Sequence, residues 1–161
     1  MRHALSFMAF GGSGLAQSCL GAAISIGGVT PDIPLILAVL LGLRLGPEGG
    51  CLIGFSAGLL QDVLGGGLLG AQALTKALVG FVAGLLGGRL WVSNPVVQVS
   101  GLVVLTLAEG LLRYSVLRLV HFPAELGGLM LQVILPQALY NGFLGAACVL
   151  ALSWVLQRRS V

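Results

Sequence analysis

The sequence predicts an all-α integral membrane protein with six transmembrane helices, and its composition is the first reason. Apolar residues make up 57% of the 161 residues and charged residues only 8%. A soluble domain carries about a quarter charged residues, and eight basic plus five acidic side chains are too few to cover a soluble surface. A disordered chain would be poor in apolar residues. We therefore expect residues 1–161 to form a single membrane domain.

The second reason is that short polar breaks divide the chain into apolar runs, each of which predicts a helix. The predicted spans cover residues 4–26, 33–43, 49–64, 69–90, 96–120 and 136–156. A spanning helix needs about 20 apolar residues, and the first run meets this length. A cleaved signal peptide is the rival explanation for that run. Its length, its four glycines and the lack of a clear cleavage site favour a retained helix.

The second and third predicted spans are separated by the polar break 44–48. The run 33–43 follows Pro31-Asp32 and has Pro34 in its first turn, where proline is tolerated. It is too short to cross about 30 Å of hydrocarbon unaided. Either it forms a short tilted helix, or runs two and three form a re-entrant pair.

The remaining runs are separated by clear turn signals. Three glycines at 65–67 precede the fourth span, a Ser-Asn-Pro turn at 93–95 precedes the fifth, and a polar break at 121–125 ends it. The last run, 126–156, is longer than a bilayer is thick at about 1.5 Å per residue. We expect Pro136 to begin or kink the spanning part.

The distribution of charge around the spans is the third reason for six crossings. With the N-terminus inside, the inner breaks and termini carry five basic residues and the outer breaks carry one. The inner set is Arg2, Arg44, Glu48, Arg89, Arg158 and Arg159. The outer set is Asp32, Arg118, His121 and Glu125, with Asp62 near that face. This asymmetry follows the positive-inside rule, so we expect both termini on the cytoplasmic side.

Glycines recur every four residues in two of the predicted spans. The first series is Gly46, Gly50, Gly54 and Gly58, and the second is Gly80, Gly84 and Gly88. This spacing places each series on one helical face, where the lack of side chains lets another backbone approach closely. Two interpretations stay open: packing of these spans on their own neighbours, or docking of a partner's transmembrane helix.

Lys76, Glu109 and Arg113 lie well inside the predicted spans, where an ionised side chain costs several kcal/mol unless it is paired. Lys76 shares the glycine face of the fourth span, and we hypothesise a pair between Lys76 and Asp62. Glu109 and Arg113 are four residues apart, with the acid first, which favours an intrahelical ion pair. The alternative is that they contact a substrate or a partner.

The sequence offers little for catalysis, a cofactor or nucleic acid. His3 and His121 have no carboxylate at metal-ligand spacing, and the glycines at 65–67 lack the Lys-Ser/Thr of a phosphate loop. Cys19, Cys51 and Cys148 lie in apolar runs without paired spacing, as expected of packing residues. We therefore expect no enzyme, no cofactor and no metal.

Several short motifs lie in order between residues 31 and 88. Pro31-Asp32 precedes the second span, and the run 54–62 reads GFSAGLLQD. Leu69-Gly70 precedes the next span, and residues 80–84 read GFVAG. Together these motifs resemble the rod shape-determining protein MreD family of bacteria, in which a motif similar to GFVAG is often seen in the fourth span. The motif residues carried over are Pro31, Asp32, Phe55, Asp62 and Gly70.

The resemblance implies a non-enzymatic scaffold of the cell-elongation machinery in the bacterial inner membrane. The expected partner is an MreC-like single-span coiled-coil protein. Through it, the chain would reach an MreB-like filament, a RodA-like polymerase and its transpeptidase, and so guide peptidoglycan synthesis. The basic inner surface would also attract anionic membrane lipids.

The family looks distantly similar in fold to the substrate-binding subunits of energy-coupling-factor vitamin transporters. We therefore expect a bundle like that of these subunits, and a transporter subunit is the alternative function. Aromatic residues make up only 6% of the chain, and the outer breaks offer few polar side chains for a vitamin. A small channel or proton-coupled carrier using Lys76, Glu109 and Arg113 is a third possibility, but no internal repeat supports one.

Overall fold

The computed structural model describes residues 25, 28–66, 68–90, 95–120 and 126–158, and every regular element among them is helical. The elements are α1 (Ile33–Gly65), α2 (Ala71–Leu90), α3 (Pro95–Leu119), the short α4 (Leu126–Leu129), a π-helical segment (Met130–Ile134) and α5 (Leu135–Arg158). The all-α prediction is therefore confirmed for these residues. The predicted span 4–26 lies outside them, apart from Ser25.

Helix α1 is a hairpin of two arms, 33–45 and 47–65, that fold back at Gly46. Gly46 has φ 85° and ψ −178°, a conformation that L side chains rarely adopt, and Pro47 follows it. A straight helix of 33 residues would be about 50 Å long. The side-chain amide of Gln61 instead lies 3.3 Å from Asp32 Oδ1. The predicted break at 44–48 is thus a sharp turn, and runs two and three lie side by side.

The second arm of α1 packs against α2 through glycines, with the two backbones in direct contact. A Cβ atom added at any of these glycines would overlap with main-chain atoms of the facing helix. The facing pairs are Gly50 with Gly80, Gly54 with Lys76, Gly58 with Gln72, and Gly84 with Pro47. Gly88 lies on α2, where side-chain surroundings are not described. The described glycines of both series therefore pack within the chain, which is the first of the two interpretations.

Helix α5 packs antiparallel to α3. The irregular π-helical segment before α5 ends close to Pro136. Leu102 contacts Gly145, and Ile134 contacts Gly110. Because Pro136 has no N–H, the preceding turn lacks one helical hydrogen bond, and the π-helical segment ends two residues before it. Pro136 therefore marks an irregular turn, although the helical path already begins at Leu126.

Among the described residues, three helical stretches are long and apolar enough to cross a membrane, judged by length and composition. They are Ile33–Gly65, Val96–Leu119 and Leu126–Ala151, and Ala71–Gly87 is a shorter apolar helix. These findings fit a membrane protein. They do not confirm six spans or a bundle like that of the transporter subunits.

The bundle formed by the described helices has two ends, which we call the Asp32 end and the Gly46 end. The first arm of α1 begins at the Asp32 end, and both α1 and the start of α2 meet there through Asp62. The C-terminal half of α2 lies at the Gly46 end, since Gly84 contacts Gly46 and Gly87 contacts Leu43. This arrangement brings the polar residues of four helices together near the Asp32 end.

Candidate functional site: a buried polar cluster

Near the Asp32 end, a group of buried polar side chains joins α1, α2, α3 and α5. We call it the polar cluster; it consists of Asp32, Gln61, Gln72, Thr75, Lys76, Thr106, Glu109 and Asn141. Lys76, Glu109 and Asn141 are fully buried, and Asp32 is 2% exposed. Such a buried group is the strongest candidate for a functional site, because polar side chains inside a membrane are costly unless they are paired.

Lys76 is the centre of the cluster. Its Nζ atom lies 2.8 Å from Asp32 Oδ2 and 3.6 Å from Glu109 Oε1. It also donates a hydrogen bond of 3.0 Å to Gln72 Oε1, one turn earlier on α2. An ammonium group has three N–H donors, and here three oxygens surround it. This buried cation thus links α2 to both α1 and α3.

Asp32 connects the start of α1 to the rest of the bundle. Its carboxylate caps α1 by accepting a hydrogen bond from the Leu35 N–H at 3.1 Å and pairs with Lys76 through the other oxygen. The N–H of Asp32 donates to Asn141 Oδ1 at 2.8 Å. The carboxylate of Asp32 therefore contacts α2 while its backbone N–H contacts α5.

Helices α3 and α5 complete the cluster through hydrogen bonds of hydroxyl, amide and carboxylate groups. The amide of Asn141 donates to Thr106 Oγ1 at 3.4 Å, and the Thr75 hydroxyl donates to Glu109 Oε1 at 3.0 Å. Glu109 Oε2 is buried without a hydrogen-bond partner. Gln137, one turn before Asn141, donates to the carbonyl oxygen of Thr30 at 3.1 Å, which fixes the segment leading into Asp32.

Asp62 has a different role from the one hypothesised, so the predicted Asp62–Lys76 pair is wrong. Its carboxylate accepts hydrogen bonds from the backbone N–H groups of Gly70, Gln72 and Ala73 at 2.9, 3.2 and 3.1 Å. These are the donors at the start of α2 that no intrahelical acceptor can satisfy. Asp62 therefore caps α2, and Lys76 pairs with Asp32 because the hairpin of α1 brings the start of α1 beside α2.

The predicted intrahelical pair between Glu109 and Arg113 is also wrong. Glu109 faces Lys76 and Thr75, and no ion pair joins it to Arg113 in the part of the chain that the structure describes. Arg113 is half-buried one turn further along α3. Lys76 on α2, rather than Arg113 on the same helix, is the cation that pairs with Glu109.

The family-motif residues occupy distinct places around the cluster. Pro31 is fully buried next to Asp32, and Gly70 adopts φ 95° in the turn that Asp62 closes. Phe55 points away from the bundle and is 47% exposed. Pro31, Asp32, Asp62 and Gly70 thus shape the Asp32 end, whereas Phe55 faces the surroundings of the bundle.

The sequence patterns did not single out the uncharged side chains that form hydrogen bonds in or next to the polar cluster, namely Gln61, Gln72, Thr75, Thr106, Gln137 and Asn141. A signal for several of them is present. Gln72, Thr75 and Lys76 have the spacing of one helical face, and so do Gln137 and Asn141. Polar side chains at such spacing within an apolar run indicate a shared buried partner.

The contacts of the polar cluster hold α1, α2, α3 and α5 in register. In the part of the chain that the structure describes, no group of three or more His, Cys, Asp or Glu residues could hold a metal ion. The described geometry is that of a structural connection.

Removing the Asp62 cap should lower stability by a measurable amount. We expect Asp62→Ala to cost about 1–2 kcal/mol, since an N-cap substitution by alanine costs about 0.5–2 kcal/mol and Asp62 satisfies three donors. Thermal unfolding of the detergent-solubilised protein would measure this change. Gln98→Ala, on the half-buried side of α3, is the control. Equal unfolding temperatures for Asp62→Ala and the control would contradict the capping role.

The fold and this cluster define the class of protein: a helical membrane protein whose buried polar residues join its helices. A model of the family described as rod shape-determining protein MreD matches residues 3–159. The chain therefore belongs to the MreD family, as its motifs predicted. Searches of curated proteins and of solved structures find no match. Membership in this family supports a role in determining rod shape.

Proposed function

We propose that the protein is a non-enzymatic scaffold of the bacterial cell-elongation complex. In this role it binds the transmembrane helix of an MreC-like single-span protein and helps to guide peptidoglycan synthesis by a RodA-like polymerase and its transpeptidase. The observation that carries the proposal is the family match over residues 3–159. The polar cluster supports it, because its contacts hold four helices together.

We also propose six crossings of the inner membrane, with both termini in the cytoplasm. The hairpin at Gly46 supports this, since it places Arg44 and Glu48 at the opposite end from Asp32. Arg118, the single basic residue of the outer set, lies in the last turn of α3, which runs antiparallel to α5. The inner set would then meet the anionic lipids of the cytoplasmic leaflet.

The alternative function, a vitamin-binding transporter subunit, gains no support from the described residues. Pockets for small molecules have volumes of about 300–1,000 Å³ and collect polar groups at fixed positions. The cavity between α1, α2 and α3 has a volume of about 20 Å³ and an almost entirely apolar lining. It is too small for a vitamin.

Purification of the tagged full-length protein from its native membrane would test the scaffold proposal. We expect mild-detergent extraction to recover an MreC-like single-span coiled-coil protein with wall-synthesis enzymes, identified by mass spectrometry. An unrelated six-span protein with the same tag is the control. Recovery of a transmembrane coupling subunit with paired ATPases would overturn the proposal in favour of the transporter.

A further inference from the structure

The polar cluster contains two carboxyl groups but one ammonium group, and all three are buried. Lys76 and Glu109 are fully buried, and Asp32 is 2% exposed. If both acids were ionised, the cluster would carry one net negative charge inside the bundle. An uncompensated charge in such surroundings is costly, and a buried group avoids that cost by taking its neutral form. The cluster therefore needs one more positive charge than its own side chains supply.

The basic residues along the neighbouring helices do not supply that charge. Arg113 follows Glu109 by four residues on α3, but no ion pair joins the two among the described residues. Arg118 is exposed in the last turn of α3, and Arg44 and Arg89 lie towards the opposite end of the bundle. The hydrogen bonds of α5 in this region come from uncharged amides.

The contacts of Asp32 are those of an ionised carboxylate. Its Oδ2 atom lies 2.8 Å from Lys76 Nζ. Its Oδ1 atom accepts hydrogen bonds from the Leu35 N–H at 3.1 Å and from Gln61 Nε2 at 3.3 Å. Both oxygens thus have donors, and a carboxylate that faces only donors is best served in its ionised, acceptor-only form. Asp32 is therefore the group that neutralises Lys76.

The two oxygens of Glu109 have unequal surroundings. Oε1 accepts from the Thr75 hydroxyl at 3.0 Å and lies 3.6 Å from Lys76 Nζ, further than the oxygen of Asp32. Oε2 is buried and has no hydrogen-bond partner among the described residues. An ionised oxygen without a donor loses its hydration uncompensated, whereas a neutral hydroxyl costs less to bury. These surroundings fit a carboxylic acid with its C=O at Oε1 and its O–H at Oε2.

We propose that Glu109 is a proton-binding site inside the bundle, occupied in the native protein, with the proton on Oε2. Asp32 and Lys76 then form a neutral ion pair, and Glu109 keeps its contacts with Thr75 and Lys76 through Oε1. The whole cluster carries no net charge, which allows it to be buried between helices in a membrane. This inference goes beyond the scaffold function and holds whichever partner the protein binds.

Infrared spectroscopy of the full-length protein in detergent at neutral pH would detect the proton directly. A protonated carboxyl group has a C=O stretching band that is separate from the bands of carboxylates and amides. We expect this band in the wild type and its loss in Glu109→Gln, which keeps the shape of the neutral acid. Asp62→Asn is the matched control, because Asp62 is equally buried but accepts three backbone N–H bonds. The band should keep its wild-type intensity in this control.

Labelling of the glutamate carboxyl carbons with carbon-13 in the wild type keeps the test decisive if Glu109→Gln does not accumulate. The band should shift, because its carrier is a glutamate and not Asp32. A band that is absent from the wild type, that persists in Glu109→Gln or that does not shift on labelling would overturn the proposal. If the band is absent and the unfolding temperature rises with sodium chloride but not with choline chloride, a bound metal cation supplies the missing charge instead.

Discussion

Lys76→Met should lower the free energy of unfolding by about 3–5 kcal/mol, because removing one partner of a buried ion pair leaves an uncompensated charge. Asp32 and Glu109 would both lose their only cation among the described residues. Methionine keeps the length and flexibility of the lysine stem, so the loss of packing is small. Thermal unfolding in detergent and the amount of protein in the membrane would both report the change.

Arg118→Met is the control for this experiment, since Arg118 is exposed at the end of α3. Substitutions at such surface positions usually change stability by less than about 0.5 kcal/mol. A further variant combines Lys76→Met with Asp32→Asn and Glu109→Gln, so that no charge remains in the cluster. We expect it to regain part of the lost stability, because no carboxylate is then left unpaired. Wild-type stability for Lys76→Met would contradict the central role of Lys76.

Gly54→Ala should destabilise the protein, whereas the same change at Gly101 should stabilise it. A Cβ atom at position 54 would overlap with the carbonyl group of Lys76, and added atoms in a filled contact cost about 1–3 kcal/mol. At Gly101 the space is open, and alanine is favoured over glycine within a helix by about 1 kcal/mol. Because the two changes in stability have opposite signs, they distinguish the effect of backbone contact at Gly54 from the general preference of helices for alanine over glycine.

Unfolding temperatures of the two alanine variants, measured side by side in one detergent, would check this prediction. Gly80→Ala provides a repeat from the facing helix, since its Cβ would overlap with the backbone of Gly50. We expect Gly54→Ala and Gly80→Ala to unfold well below the wild type. If both unfolded at or above the temperature of Gly101→Ala, α1 and α2 would not be in direct backbone contact.

The two glycine series show what a local sequence pattern can and cannot predict about helix contacts. A spacing of four residues marks a smooth face on a helix, and the structure brings both faces together between α1 and α2. The pattern could not say whether the facing helix belongs to this chain or to a partner. Gly101 belongs to neither series, and a Cβ atom there would meet no described atom within 4 Å; a single glycine gives no periodic signal that would mark this position.

The charged residues show where sequence reasoning failed. Local spacing pairs Lys76 with Asp62 and Glu109 with Arg113, in each case with a partner near in sequence or within the same helix. Lys76 instead pairs with Asp32, 44 residues earlier, and with Glu109, 33 residues later. Ion pairs form between residues that the fold brings close, and sequence separation does not limit that distance in a folded bundle.

The sequence by itself determined that this protein is helical and suited to a membrane. It also determined where α1 breaks and to which family the chain belongs. These properties follow from composition, from glycine and proline at particular positions, and from short motifs, all of which act locally. Only the tertiary structure decided that α1 folds back at Gly46, that Asp62 caps α2 and that Lys76 joins Asp32 to Glu109. The reason is physical: once the hairpin closes, a buried lysine is stabilised most by the carboxylates within reach of its ammonium group, and helix packing sets which carboxylates those are.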